Sequence, residues 1–434
     1  MHFAKTNRAA ACVALLSATL MAAEPTAPPP FPEPDKLPAR AELPAALTTF
    51  SGQPVRTRED WVKVRAPELR ALVQHYEYGF LPPPAKVVAK LEREDKTALR
   101  GTATLREITL TLAQPEGAAI RLLLVVPNQR TKPAPVFLGL NFRGNHLLLA
   151  DPLIRPPDDW KPRKNETLEQ VRGAEADEWA LDQAVARGYA VATFYNGDVV
   201  PDERSAAEEV LRKLRPPERA ERGPADCATI AAWAWCLHRA VDYLVTDPDL
   251  DARRIALVGH SRNGKTALLA AALDERVALV VPSQAGCGGT APCRLPPDIA
   301  APPDGKPVVE TVKRINTSFP HWFCGNFKAF NDAPDRLPFD QHSLIALCAP
   351  RPVLVSCATN DRWANPPGQF EMLQAADPAY RLVAGDGLGA AALPAPGQLL
   401  ASRLGYFIRP GGHAMTRADW KAWLDYADQW LPPR

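Results

Sequence analysis

The stretch Ile255-Ala-Leu-Val-Gly-His-Ser261-Arg-Asn-Gly-Lys265-Thr-Ala-Leu constrains this chain more than any other. An apolar strand-like run goes directly into Gly259, a serine follows two residues later, and Gly264 opens an apolar helical pattern. A chain that passes from strand to helix with no loop between them needs small residues at the turn, and the turn leaves its serine hydroxyl exposed. This is the layout of a nucleophile elbow, spelled here G-x-S-x-x-G, one residue longer than the common G-x-S-x-G. The amide of Arg262 and the start of the helix aim at the place where negative charge would develop. A plain βα turn is the competing reading, and placement between a clear strand and a clear helix argues against it.

The patterns on either side supply a sheet for such a turn. Helical apolar spacing over Trp61 to Tyr78 ends at Gly79, before Pro82-Pro83-Pro84. Ile108 to Leu112, Ile120 to Val126 and Val136 to Leu140 read as strands. Helices are expected near Glu175 to Arg187, Ala228 to Val245, Lys265 to Leu273 and Ala418 to Trp430. Strands are expected at Tyr189 to Tyr195, Arg254 to Val258, Ala278 to Pro282 and Pro352 to Ser356. This alternation predicts an α/β fold with a mainly parallel sheet between two helix layers and a site at the carboxyl ends of the strands. Pro201 to Pro224, highly charged, and Pro292 to Pro307, rich in proline, are expected to be surface loops.

With 434 residues, 46% of them hydrophobic, the chain is long enough for one large core, and a single catalytic domain is expected over 55–434. A proline-rich leader precedes it over 24–54. Residues 1–23 read as a signal peptide: Lys5 and Arg8, the apolar run Ala9 to Met21, then Ala22 and Ala23, near which cleavage is expected. A secreted or periplasmic monomer is the expectation. The formal charge of +2 and the mixing of basic with acidic residues argue for no nucleic acid partner. No later stretch of about twenty apolar residues suggests a membrane. Without Cys12 seven cysteines remain, so at least one thiol is free unless it pairs between chains. No CxxC spacing and no HExxH occur, so no metal or other cofactor is implied.

A serine nucleophile needs a base, and in the α/β-hydrolase fold its partners follow in the order Asp or Glu, then His. His413 stands in Arg409-Pro-Gly-Gly-His413-Ala-Met-Thr, a glycine-rich loop before the last helix. Asp361, in Val355-Ser-Cys-Ala-Thr-Asn-Asp361-Arg-Trp363, follows a strand directly. A carboxylate there can accept a hydrogen bond from His413, fix its tautomer and stabilise the imidazolium. A surface histidine and an ordinary loop aspartate are the alternatives, and for Asp361 the spacing alone does not decide. His260 is expected to point away from the serine, and His146, His321 and His342 to serve packing or binding.

At this point the chain resembles the glucuronoyl esterases of carbohydrate esterase family 15, especially the bacterial members. The resemblance runs from about Tyr78 to Trp430. It rests on Leu140-Asn-Phe-Arg-Gly-Asn-His146, Ala232-Trp-Ala-Trp-Cys236, Val258-Gly-His-Ser-Arg-Asn-Gly-Lys-Thr-Ala-Leu268 and Ala285-Gly-Cys-Gly-Gly289. Then come Glu310-Thr-Val-Lys-Arg-Ile-Asn316, Phe319-Pro-His-Trp-Phe-Cys324, Asp340-Gln-His342, Ala349-Pro-Arg-Pro352, Asp361-Arg-Trp363 and Gly412-His413. So many stretches in order are specific.

The resemblance implies a secreted serine esterase, a carboxylic ester hydrolase of the 4-O-methyl-glucuronoyl methylesterase type. Its substrates would be the glucuronate esters that join glucuronoxylan to lignin, cleaved in two-step acyl transfer. Carried over by position, Ser261 is the nucleophile, His413 the base, and Arg262 the oxyanion stabiliser through backbone and guanidinium. Lys265 and Glu310 would bind hydroxyls of the uronic acid ring, with Trp363 lining the sugar pocket; a solvated lysine and a surface carboxylate are the plainer readings. Two departures matter. Many family members carry the triad acid just before the Gly-Cys-Gly-Gly stretch, where this chain has Gln284, so the acid is expected at Asp361. Fungal members join nucleophile and base loops by cysteines where this chain has His260 and Ala414. The rival readings are an esterase for acetyl or other acyl groups on polysaccharide, which would not need Lys265 and Glu310, and a carbohydrate-binding homologue without catalysis.

Overall fold

The computed structural model describes residues 31–158, 160–163, 165–215, 218–296, 299 and 308–433. The expected signal peptide, residues 24–30 of the leader, and 297–298 and 300–307 of the proline-rich stretch lie outside them. From Pro32 onward the chain forms one compact unit.

Its frame is a ten-stranded sheet: β1 Val87–Thr97, β2 Ala103–Leu112, β3 Ala119–Pro127, β4 Ala134–Asn141, β5 Ala190–Tyr195, β6 Leu250–His260, β7 Val277–Ser283, β8 Val353–Ala358, β9 Leu399–Leu400 and β10 Leu404–Arg409. The spatial order is β1-β2-β3-β5-β4-β6-β7-β8-β10-β9. The six strands β5, β4, β6, β7, β8 and β10 are mutually parallel, and β1, β2, β3 and β9 join antiparallel at the two edges. Parallel strands are covered on both faces, and β4, β8 and β10 are buried along their whole length. On one face Phe137, Val258, Val281, Leu354 and Phe407 join a core with Trp179, Trp420 and Trp423. On the other, the almost wholly buried helix Thr229–Leu244 packs beside Arg262–Leu273. The α/β expectation of three layers holds.

Several local readings change. The first long helix runs over 58–78, starting three residues before Trp61 because Thr57 and Asp60 form a capping box. Strand β1 escapes a hydrophobic-pattern search because it is an exposed edge rich in charge. Cross-strand pairs attach it to β2, with Arg93 opposite Glu107 at 3.0 Å and Glu94 opposite Arg106 at 2.9 Å. The expected helix over 175–187 is two, Ala176–Trp179 and Leu181–Ala186, broken at Ala180, whose φ is 41°. The charged segment after Pro201 is not all loop. Arg204–Lys213 is helical, capped by the Glu203 carboxylate, because Ala207 and Leu211 give it a buried face. Pro292, Cys293 and Arg294 are buried rather than on the surface, held in part by the Arg294–Asp340 ion pair at 3.0 Å.

The described part of the leader is tied to the body through its carbonyls. Arg336 donates to Leu37, Arg294 to Arg40 and Arg65 to Ala46, while the ring of His342 lies 2.8 Å from the Pro44 oxygen. Among the described residues no helix is long and apolar enough to cross a membrane, and no group of three or more His, Cys, Asp or Glu could hold a metal ion.

Candidate active site

The sheet brings its carboxyl ends into a row: His260 pairs with Ser283, Ser283 with Ser356, and Ala358 with Arg409. Ser261 therefore follows β6, Gln284 follows β7, Asp361 lies just beyond β8, and His413 just beyond β10. Residues far apart in the chain are carried to the carboxyl end of one sheet.

Ser261 sits between β6 and the helix Arg262–Leu273 with φ 57° and ψ −127°, a conformation that costs energy for a residue with a Cβ. The turn is tight on both sides. A Cβ on Gly259 would lie 2.1 Å from the Asn263 carbonyl oxygen, and one on Gly264 2.9 Å from the carbonyl oxygens of Gly259 and Ser283. The extra residue of G-x-S-x-x-G has a use. Asn263, in the place of the usual second glycine, is buried and donates its amide to the Leu140 carbonyl at 3.0 Å, tying the elbow to β4.

His413 Nδ1 lies 2.7 Å from Asp361 Oδ2. Asp361 is 4% exposed, and its other oxygen accepts the Ala364 amide at 3.3 Å. The carboxylate selects the tautomer with the proton on Nδ1, which leaves the Nε2 lone pair for a substrate-side proton. The loop carrying His413 is held from beneath. Gln284, at φ 49°, donates its amide to the Ala414 carbonyl at 2.7 Å and accepts the Ala414 N–H at 3.2 Å. Arg409 donates to the carbonyls of Gly412 at 3.1 Å and Ala414 at 2.6 Å, and its Nε meets the buried Asp419 at 2.7 Å.

His260 lies beside the base. Its ring lies against that of His413, centroids 4.5 Å apart, with Phe142 edge-on at 6.2 Å. Burial above all, then the charges of His413, Arg409 and Arg262, hold its pKa well below the ordinary histidine value, so this ring is neutral. The other histidines lie elsewhere. His146 is buried against Trp160, its pKa pushed down to about 4 by burial and by Arg172 and Arg143. His342 binds the leader, and His321 meets Asp202.

Lys265 and Glu310 are brought together, but with each other. Lys265 Nζ lies 2.8 Å from Glu310 Oε2 and donates to the carbonyls of Ala285, at 2.7 Å, and Cys287. An ammonium has three donors, and all three are engaged. The second carboxylate oxygen of Glu310 accepts the indole N–H of Trp363 at 3.2 Å, and the Glu310 amide donates to the Trp363 carbonyl at 2.9 Å. The guanidinium of Arg314 covers the Trp363 ring at 4.5 Å.

The guanidinium of Arg262 lies over two aromatic rings, 5.3 Å from that of Phe142 and 5.1 Å from that of Trp322, and its Nη1 is paired with Asp202. Asp202 was not singled out in the sequence. It sits in the acidic run Asp202-Glu203 of a charged segment, and nothing in periodicity or spacing distinguishes it from a solvated carboxylate.

The chain matches the family model of fungal glucuronyl esterases over residues 180–384. It is 40% identical over 394 residues to carbohydrate esterase MZ0003 from an unknown prokaryotic organism, covering 89% of each chain. It superposes on a glucuronoyl esterase from Solibacter usitatus with a TM-score of 0.82 at 36% identity, covering 92% of this chain and 99% of that one. A promiscuous CE15 esterase from a marine bacterial metagenome superposes with a TM-score of 0.80 at 39% identity, with the same coverage. With the elbow and the mainly parallel sheet, these likenesses make the fold an α/β-hydrolase fold.

Proposed function

This chain belongs to the glucuronoyl esterases of carbohydrate esterase family 15, carboxylic ester hydrolases, and on that basis we propose that it cleaves glucuronic acid esters by two-step acyl transfer through Ser261, His413 and Asp361. The observation that carries the proposal is the 2.7 Å contact of His413 Nδ1 with the buried Asp361, while the His413 ring lies against that of His260, the residue before the elbow serine.

In the first step His413 Nε2 takes the proton of Ser261 Oγ while Oγ attacks the C6 carbonyl carbon of the ester. The negative charge that develops on the carbonyl oxygen rests on the Arg262 amide at the helix start and on its guanidinium, with a single such donor worth about 10²–10³ in rate. The intermediate collapses, the carbon–alkoxy bond breaks, and His413 returns its proton to the departing alcohol. Water then attacks the glucuronoyl ester of Ser261 with His413 as base again, releasing glucuronate and the free serine. Asp361 keeps the imidazole in its working tautomer and offsets the positive charge it gains in each step.

The acid side of the substrate is assigned to Lys265, Glu310 and Trp363. Glu310 has lone pairs beyond the two that Lys265 and Trp363 use, so it can accept ring hydroxyls. Lys265 holds Glu310 and the loop carbonyls of Ala285 and Cys287, and reaches a hydroxyl by sharing one of those bonds. The natural setting of the proposal is an exported enzyme that acts on esters between glucuronoxylan and lignin alcohols.

The test is hydrolysis of benzyl glucuronate against an acetyl ester by wild type and Ser261→Ala. Turnover of the glucuronate ester that disappears in the variant supports the proposal. Turnover of acetate alone replaces it with an acetyl esterase, and sugar binding without any turnover replaces it with a binding protein.

A further inference from the structure

We propose that Asp202 is a positioning residue for catalysis: its carboxylate, brought in by the charged segment after Pro201, holds the Arg262 guanidinium where the oxyanion forms. The inference rests on the oxyanion role given to Arg262 above.

An arginine side chain is long and has many rotamers, so one that must meet a short-lived oxyanion gains from being held beforehand. Two sets of contacts do this. Phe142 and Trp322 pack against the guanidinium, whose central carbon lies over their rings at 5.3 and 5.1 Å, and restrict its movement. Its direction is set by Asp202 Oδ2, which accepts from Nη1 and is the guanidinium's one ion pair among the described residues.

Asp202 is itself built to be an anchor. Its other oxygen, Oδ1, accepts the indole N–H of Trp322 at 2.8 Å and meets His321 Nε2 at 3.0 Å. The carboxylate thus spends one oxygen on the scaffold and presents the other to the arginine. Trp322, which both covers the arginine and binds the aspartate, is stacked on Phe319 at 3.8 Å with the rings 4° from parallel. Burial opposes the charge of Asp202, but the hydrogen bonds from His321 and Trp322 and the charge of Arg262 outweigh it, and its pKa lies below the usual carboxylate value. None of these contacts would be needed merely to seat a surface helix.

The experiment is a double-mutant cycle of Asp202→Asn and Arg262→Ala, read as kcat and KM for benzyl glucuronate with melting temperatures alongside. Asparagine keeps the shape and loses the charge. Asp202→Asn is expected to lower kcat about 10–100-fold with little change in KM, because the contact it supports strengthens only in the transition state. In the Arg262→Ala background the same change is expected to cost nothing further. An effect that multiplies undiminished in that background, or an Asp202→Asn enzyme at the wild-type rate, would overturn the proposal. If Asp202→Asn does not fold, Asp202→Ser, which also removes the charge, is carried through the same cycle under the same criteria. A wild-type rate for Arg262→Ala itself would instead sink the oxyanion assignment and leave esterase activity standing.

Discussion

The Gln284 side chain closes a two-point clamp on the peptide of Ala414, donating to its carbonyl at 2.7 Å and accepting its N–H at 3.2 Å. An amide can do both, whereas an ionised carboxylate has no proton to give. The residue after His413 is therefore fixed by a neutral group at the position where, by resemblance, many relatives keep an acid. The negative charge for His413 comes from one strand further along, from Asp361. The same clamp joins the end of β7 to the base loop.

Replacing Gln284 by leucine removes both bonds and leaves the Ala414 N–H unpaired, with its carbonyl still held by Arg409. The expected result is a stability loss of about 1–3 kcal/mol together with a lower kcat, because the loop that aims His413 loosens. Chemical denaturation and benzyl glucuronate kinetics check this; an unchanged kcat would show that Arg409 alone suffices to hold the loop.

Asp361→Asn keeps the shape of the acid and removes its charge. With the wrong tautomer of His413 favoured, kcat should fall by up to about 10⁴-fold while the fold survives. Circular dichroism and steady-state kinetics read the two effects separately.

His260 touches the base yet stays neutral, so it should not appear in the pH dependence of the reaction. The acid limb of log kcat/KM against pH is expected to have unit slope, reporting one proton. A slope of two would mean that His260 charges together with His413.

Glu77 is fully buried, and burial pushes its carboxyl up to about 8, with Asp340 adding to the shift and Gln341 and Lys265 reducing it. The folded protein keeps this proton where the unfolded chain, with an ordinary carboxylate pKa of about 4.3, has lost it. Stability from this group is complete below that pH, declines as pH rises toward 8, and is level above. Glu77→Gln is neutral throughout, so its melting temperature relative to wild type should climb across that window and then plateau. A difference that stays constant from pH 4 to 9 would show that Glu77 is ionised in the fold.

Lys265→Met leaves the Glu310 charge buried with one partner gone, an expected loss of about 3–5 kcal/mol. Adding Glu310→Gln should recover part of that stability without recovering turnover of glucuronate esters. Recovery of both would reduce the pair to a structural role.

What the chain made legible by itself was local. Strand Ile255 to Val258, the small residues around Ser261 and the apolar helix after it are neighbours in sequence, so their pattern alone predicts the elbow, and the order of serine, aspartate and histidine follows from the chain's path across a parallel sheet. Tertiary structure decided which polar groups hold that machinery. Asp202 reaches Arg262 across 60 residues, Gln284 reaches Ala414 across 130, and Lys265 turns to Glu310 across 45. Such contacts depend on placement to within about an ångström, and a carboxylate in a charged segment carries the same pattern whether it ends in water or against a guanidinium. Periodicity records which face of an element is buried, and only the packed sheet brings together the side chains that meet there.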